Sequence, residues 1–140
     1  MDRTVYIEIG DKAYPMRFSL GAAKKLCEKY GSLTKMTDKI TGDGTADNMG
    51  DALETVTWII DLLIKQGCAY KNLFEADIPA PANAPVVDGK YTPPTPEILD
   101  TGLGIWEMRE LKEKIFQTLG AGNKREVEAE VKPDKTKKNG

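Results

Sequence analysis

The chain has 140 residues, with 20 lysines and arginines against 22 aspartates and glutamates, a net charge of −2 and no histidine. That length suits one domain with a real core, and the interspersed charges leave no basic footprint for nucleic acid or an acidic membrane surface. Without histidine, Ser-His and Cys-His nucleophile pairs, zincin sites and histidine proton shuttles are excluded.

Val5, Ile7 and Ile9 alternate with Tyr6 and Glu8, and Tyr14, Met16 and Phe18 alternate with Pro15 and Arg17. Both runs have the period of a half-buried strand. Gly10 and Asp11 between them suit a tight turn with Gly10 at positive φ. Such a turn pairs Ile9 with Lys12, Ile7 with Tyr14 and Val5 with Met16, so both apolar sets fall on one face. Pro15 has no N–H to donate, which predicts that its position faces an open edge.

Ser19 stands where a helix N-cap is needed. Leu20, Ala23, Leu26, Cys27 and Tyr30 follow at helical spacing, and Gly31 is placed for a left-handed stop. Ser32 opens a shorter helix carrying Leu33, Met36 and Ile40, and "TGDGTADN" reads as a loop. Thr45 is the predicted cap of the longest helix, from about Ala46 to Gln66, with Gly67 as its stop. Met49, Ala52, Leu53, Val56, Ile59, Ile60 and Leu63 form its apolar stripe. Trp58 and Leu62 fall on the opposite side, one turn apart. A helix apolar on two sides is either central in its domain or faces a partner.

The stretch from Glu75 to Pro94, with five prolines, reads as a mobile linker or long loop. Thr95, Pro96 and Glu97 start a short helix ending near Gly102. A last helix from about Gly104 to Leu119 aligns Ile105, Met108, Leu111, Ile115 and Leu119, with Trp106 off that stripe. Residues 121–140 are charged and poor in large apolar groups, which predicts a flexible tail.

No metal or redox spacing joins Cys27 and Cys68, which read as buried small hydrophobes in a reducing cytosol. Asp43, Asp47, Asp51, Glu54 and Glu75 read as solvated charges rather than catalysts, and "GDG" at 42–44 as a plain turn without the GK[ST] of a phosphate loop. "MDRTVYIEIG" has no apolar signal core, and "WIIDLLI" is too short to span a membrane. The chain reads as an intracellular protein that is not an enzyme and takes no cofactor or metal. Its candidate partner-binding residues are Trp58, Leu62 and Trp106, with core and interface both open for the tryptophans.

"YIEIGDKAYPMRFSLGAAKKLCEKYGSL" resembles the opening of the tail assembly chaperones of long-tailed phages and prophages, through Ile9, Gly10, Tyr14, Met16, Arg17, Phe18, Leu20, Gly21 and Ala22. A long helix with "WIIDLLIKQGCAY", a variable loop, the short "TPEILD" helix and a closing helix are similar as well. The resemblance implies an α+β, mainly helical fold. An N-terminal β-hairpin packs on about four helices, as one domain over 1–120 with a disordered tail.

The resemblance also implies a chaperone that coats the long, helical and aggregation-prone tape measure protein, recruits tail tube subunits and leaves before the virion is complete. It would act in the host bacterial cytoplasm, with self-association a further possibility and neither nucleic acid nor membrane as a partner. Members of this family are often made in two lengths by a ribosomal frameshift, for which Lys137 and Lys138 mark a candidate slippery site. The other reading is a structural virion component, such as a head–tail joining or tail-terminator protein.

Overall fold

The computed structural model of the chain describes residues 4–41 and 49–122. The Thr45 cap, the Ala46 helix start, Asp43, Asp47, "GDG" at 42–44 and the Lys137–Lys138 pair lie outside the described residues. The architecture is α+β and mainly helical. In chain order it runs β1 (Val5–Ile9), β2 (Lys12–Met16), α1 (Leu20–Tyr30), α2 (Leu33–Thr41), α3 (Met49–Phe74), β3 (Val86–Val87), β4 (Lys90–Tyr91), α4 (Pro96–Gly102), a 3₁₀ turn (Ile105–Glu107) and α5 (Met108–Gly122).

The N-terminal hairpin has the register that its alternation predicts, with Val5 opposite Met16, Ile7 opposite Tyr14 and Ile9 opposite Lys12. Gly10 makes the turn at φ 65°. All of Val5, Ile7, Ile9, Tyr14 and Met16 are buried. An isolated hairpin is marginal in water, and here β2 lies on α3 while β1 lies beside α4 and α5.

The edge that Pro15 faces is not open. Pro15 is fully buried, the Ala13 N–H donates to the Asn83 carbonyl (2.9 Å), and the Arg17 N–H to the Leu63 carbonyl (3.1 Å). α3 lines this edge through Leu63 and Gly67, and the helix does not stop at Gly67. It continues to Phe74, and at Gly67 it meets the hairpin so closely that a Cβ there would lie 2.1 Å from the Pro15 carbonyl oxygen and 2.8 Å from the Met16 nitrogen. Gly67 therefore serves a close backbone approach, not a helix end.

α3 is the axis of the core, with Val56, Ile59, Ile60, Leu63 and Ile64 fully buried. Around it, α1 starts from Ser19, whose hydroxyl accepts from the Ala22 N–H (3.1 Å) and donates to Gln66 Oε1 of α3. Gly21 follows that cap, and a Cβ in its place would come 3.2 Å from the same Gln66 oxygen. The buried face of α1 is carried by Ala22 and Leu26, so Leu20 and Cys27, expected inside, point outward. Ser32 caps α2 through the Lys35 N–H (3.1 Å), and Met36 and Ile40 are buried.

The proline-rich stretch is not a loose linker. Asp88 (φ 53°) and Gly89 (φ 82°) turn the chain between β3 and β4, both at positive φ as a type I′ turn requires. Asn72 of α3 fastens β4, its amide donating to the Tyr91 carbonyl (3.0 Å) and accepting from the Tyr91 N–H (2.9 Å). The closing helix also differs from expectation. A 3₁₀ turn at Ile105–Glu107 precedes α5, the Glu107 carboxylate accepts from the Gly104 N–H (2.6 Å), and Ile105 is exposed while Leu111 and Ile115 are buried. α5 runs to Gly122, past the predicted end at Leu119. Among the described residues no helix is long and apolar enough to cross a membrane.

Candidate functional site

The sequence nominates Trp58, Leu62 and Trp106, and the structure gives them three different settings. Leu62 is 6% exposed and belongs to the core cluster. α3 is enclosed on more than one side, so its second apolar face packs inside the domain at that position. Trp58 is half-buried, with its ring edge-to-face on Tyr30 of α1 at 5.8 Å and 88°, and with the Lys29 ammonium 4.9 Å from its centre. Trp106 sits on the 3₁₀ turn and is 94% exposed, next to Ile105 at 49%.

Trp58 also lines a groove of about 430 Å³ between α3 and α4. One wall comes from α3, where Leu53, Thr57 and Asp61 repeat at every fourth residue, with Glu54 and Trp58 as the adjoining row. Residues four apart stack on one helical face. The other wall is Pro96, Leu99 and Asp100 of α4. That helix is held in place by a local signal: the Thr95 hydroxyl accepts from the Ile98 N–H (3.2 Å), with Pro96 at the first helical position and Leu99 buried below. The groove is open to solvent, apolar along its floor and edged by carboxylates. Trp106 is not among its lining residues, and no ring contact joins the two tryptophans among the described residues.

Sequence reasoning connected none of the other lining residues with Trp58. Glu54 and Asp61 stand on the same helical face as Trp58, a signal available from spacing. The arrival of α4 depends on the whole fold between.

A second apolar surface lies on the part of α3 beyond the expected stop. Leu73 and Phe74 are 73% and 69% exposed, Tyr70 and Phe74 rings are 5.1 Å apart, and the Arg17 guanidinium lies 3.7 Å over the Tyr70 ring. Beside it, Lys71 is buried and bonded to Glu75 (2.8 Å). Burial alone would lower the Lys71 pKa, but the Glu75 carboxylate and the Tyr6 side chain outweigh it and hold the pKa above the usual lysine range. The pairing with Glu75 holds this lysine in its charged form.

Burial pushes the Cys68 thiol up to about 12, so it stays protonated and unreactive at neutral pH. Among the described residues no group of three or more His, Cys, Asp or Glu side chains is placed to hold a metal ion. What the site offers chemically is apolar contact area with an acidic margin. Compared with protein-family models, curated proteins and solved structures, the chain gives no match to any of the three.

Proposed function

We propose that the protein is a tail assembly chaperone of a long-tailed phage or prophage, which binds the tape measure protein and helps to recruit tail tube subunits. On this reading it works in the host cytoplasm without catalysis and leaves before the virion is finished. The observation that carries the proposal is the solvent-open, tryptophan-lined groove on a mainly helical domain. A client helix can lay an apolar face into such a groove, a recurring mode of helix recognition.

The opening segment on which the resemblance rests adds support, because its residues have physical work in this fold. Gly10 makes the turn, Tyr14 and Met16 enter the core, and Gly21 leaves room for Gln66 beside the Ser19 cap. Mass spectrometry of infected or induced cells and of purified particles tests the proposal. The chaperone reading expects the protein in the lysate and not in the particle. Stoichiometric recovery from finished particles would replace it with the structural virion component.

A further inference from the structure

The groove has a length and a charge pattern that narrow its occupant. From Leu53 to Asp61 the α3 wall spans eight steps, about 12 Å or two turns of helix at 1.5 Å per residue. The groove offers few polar groups for reading a small ligand. The Thr57 hydroxyl is spent on the Leu53 carbonyl (2.8 Å), and Asp61 is held by Lys65 (3.0 Å). Glu54 and Asp100 are exposed, on opposite walls, and have no ion-pair partner among the described residues. The opposing cation is Lys29, on the α1 side of Trp58 and drawn to that ring.

We propose that the groove takes about two turns of an amphipathic helix from another protein, whose apolar stripe is flanked on both sides by lysine or arginine. The proposal rests on the chaperone reading for the helical nature of the partner; the flanking charge is dictated by the two rim carboxylates. Apolar side chains of the helix cover Leu53, Trp58 and Pro96 over the buried Leu99, and its cations meet Glu54 on one wall and Asp100 on the other.

The test uses the full chain carrying Trp106→Phe, which leaves Trp58 as the one tryptophan emitter. Two synthetic amphipathic peptides with identical leucine stripes, one flanked by lysines and one by glutamates, are titrated while Trp58 emission is followed. The lysine-flanked peptide is expected to bind about tenfold tighter, because both rim carboxylates attract its cations and repel the other peptide's glutamates, each at the ordinary strength of an exposed pair. That preference is expected to fade in 1 M salt and to reverse in the Glu54→Lys, Asp100→Lys double variant. Salt dependence on the unaltered rim keeps the test independent of how that double variant folds.

Equal binding of both peptides, or no response of Trp58 to either, would overturn the proposal. So would an emission shift driven by protein concentration alone with a matching rise in mass, which would give the groove to a second copy. The two claims fail separately. A tape measure protein held without either peptide moving Trp58 removes the groove assignment alone. Selective peptide binding without any hold on the tape measure protein removes the chaperone reading alone.

Discussion

Replacing Gly67 by alanine sets two opposite effects against each other, and the structure says which wins. In a helix interior alanine is favoured over glycine by about 1 kcal/mol, so a helix free at this point would gain stability. Here the added methyl would lie 2.1 Å from the Pro15 carbonyl oxygen, 2.4 Å from its carbon and 2.8 Å from the Met16 nitrogen. These are backbone atoms, so no side chain can swing aside. Relief requires α3 and β2 to separate by about 1 Å, and a gap of that size forfeits a quarter to a half of each contact across it. Met16, Leu63 and Ile64 stand along this part of the core, and the Arg17–Leu63 backbone bond crosses it.

Overpacking of this kind costs about 1–3 kcal/mol, occasionally more, and a weakened buried hydrogen bond adds about 1 kcal/mol. The helix-propensity gain about cancels the hydrogen-bond loss, so Gly67→Ala is expected to lose about 1–3 kcal/mol, or roughly 4–12 °C in Tm for a domain of this size. Urea and thermal denaturation followed by circular dichroism measure it. Gly50→Ala is the internal control: the same helix, nothing within 4 Å of the added methyl, and an expected gain of up to about 1 kcal/mol. If Gly67→Ala proves as stable as Gly50→Ala, the seating of β2 on α3 is wrong.

Trp106→Ala should leave folding stability within about 0.5 kcal/mol, because a side chain 94% exposed has little packing to lose; a drop above about 1 kcal/mol in urea melts would contradict its placement. The buried Tyr30 hydroxyl makes no hydrogen bond of good geometry among the described residues, and burial, only partly offset by the nearby Thr55 side chain, raises its pKa. Tyr30→Phe is therefore expected to be neutral or stabilising by up to about 1 kcal/mol, whereas a clear loss would show a bond to Thr55 strong enough to matter. Cys68, protonated up to about pH 12 when folded and only to about 9 when unfolded, contributes stability that is complete below pH 9 and lost as pH rises toward 12. In a thiol-labelling assay at pH 8, Cys27 is expected to react promptly and Cys68 only on unfolding; equal rates would contradict the burial.

Local patterns in this chain are legible where the physics is local. The period of 2 in residues 5–18 and the Gly10–Asp11 turn together determine the hairpin register, because a slip by one residue would expose the whole apolar set. Ser19, Ser32 and Thr95 mark helix starts for an equally local reason, the need to satisfy a first-turn N–H.

Gly67 shows where that reasoning ends. A glycine near the end of an apolar run serves as a helix stop or as a place for another backbone, and only the arrival of β2 decides between them. Leu62 was ambiguous in the same way, since a second apolar face on α3 suits a partner or an enclosing core. Asp88–Gly89 is a turn signal that a reading of this stretch by its prolines alone passes over, since prolines in a docked segment restrict the chain as well as they do in a linker. Glu54 and Asp61 share the α3 face of Trp58 by spacing alone, although Glu54 reads by itself as a solvated charge. Leu99 and Asp100 of the opposite wall reach that face only through tertiary packing.

On the proposed function, Trp58 and its groove hold a long, aggregation-prone helical client, and co-expression puts this to the test. The full chain is produced together with the tape measure protein of the same phage or prophage, and the soluble fraction of that client is measured. Trp58→Ala and Trp58→Phe, the latter keeping an aromatic ring against Tyr30, are run alongside, each confirmed as folded by its melting curve. The expected result is a soluble complex with the unaltered chain, a largely retained one with Trp58→Phe, and a loss of most of the soluble client with folded Trp58→Ala. A client that aggregates to the same extent with and without the chain, or that stays soluble with all three forms alike, would contradict it.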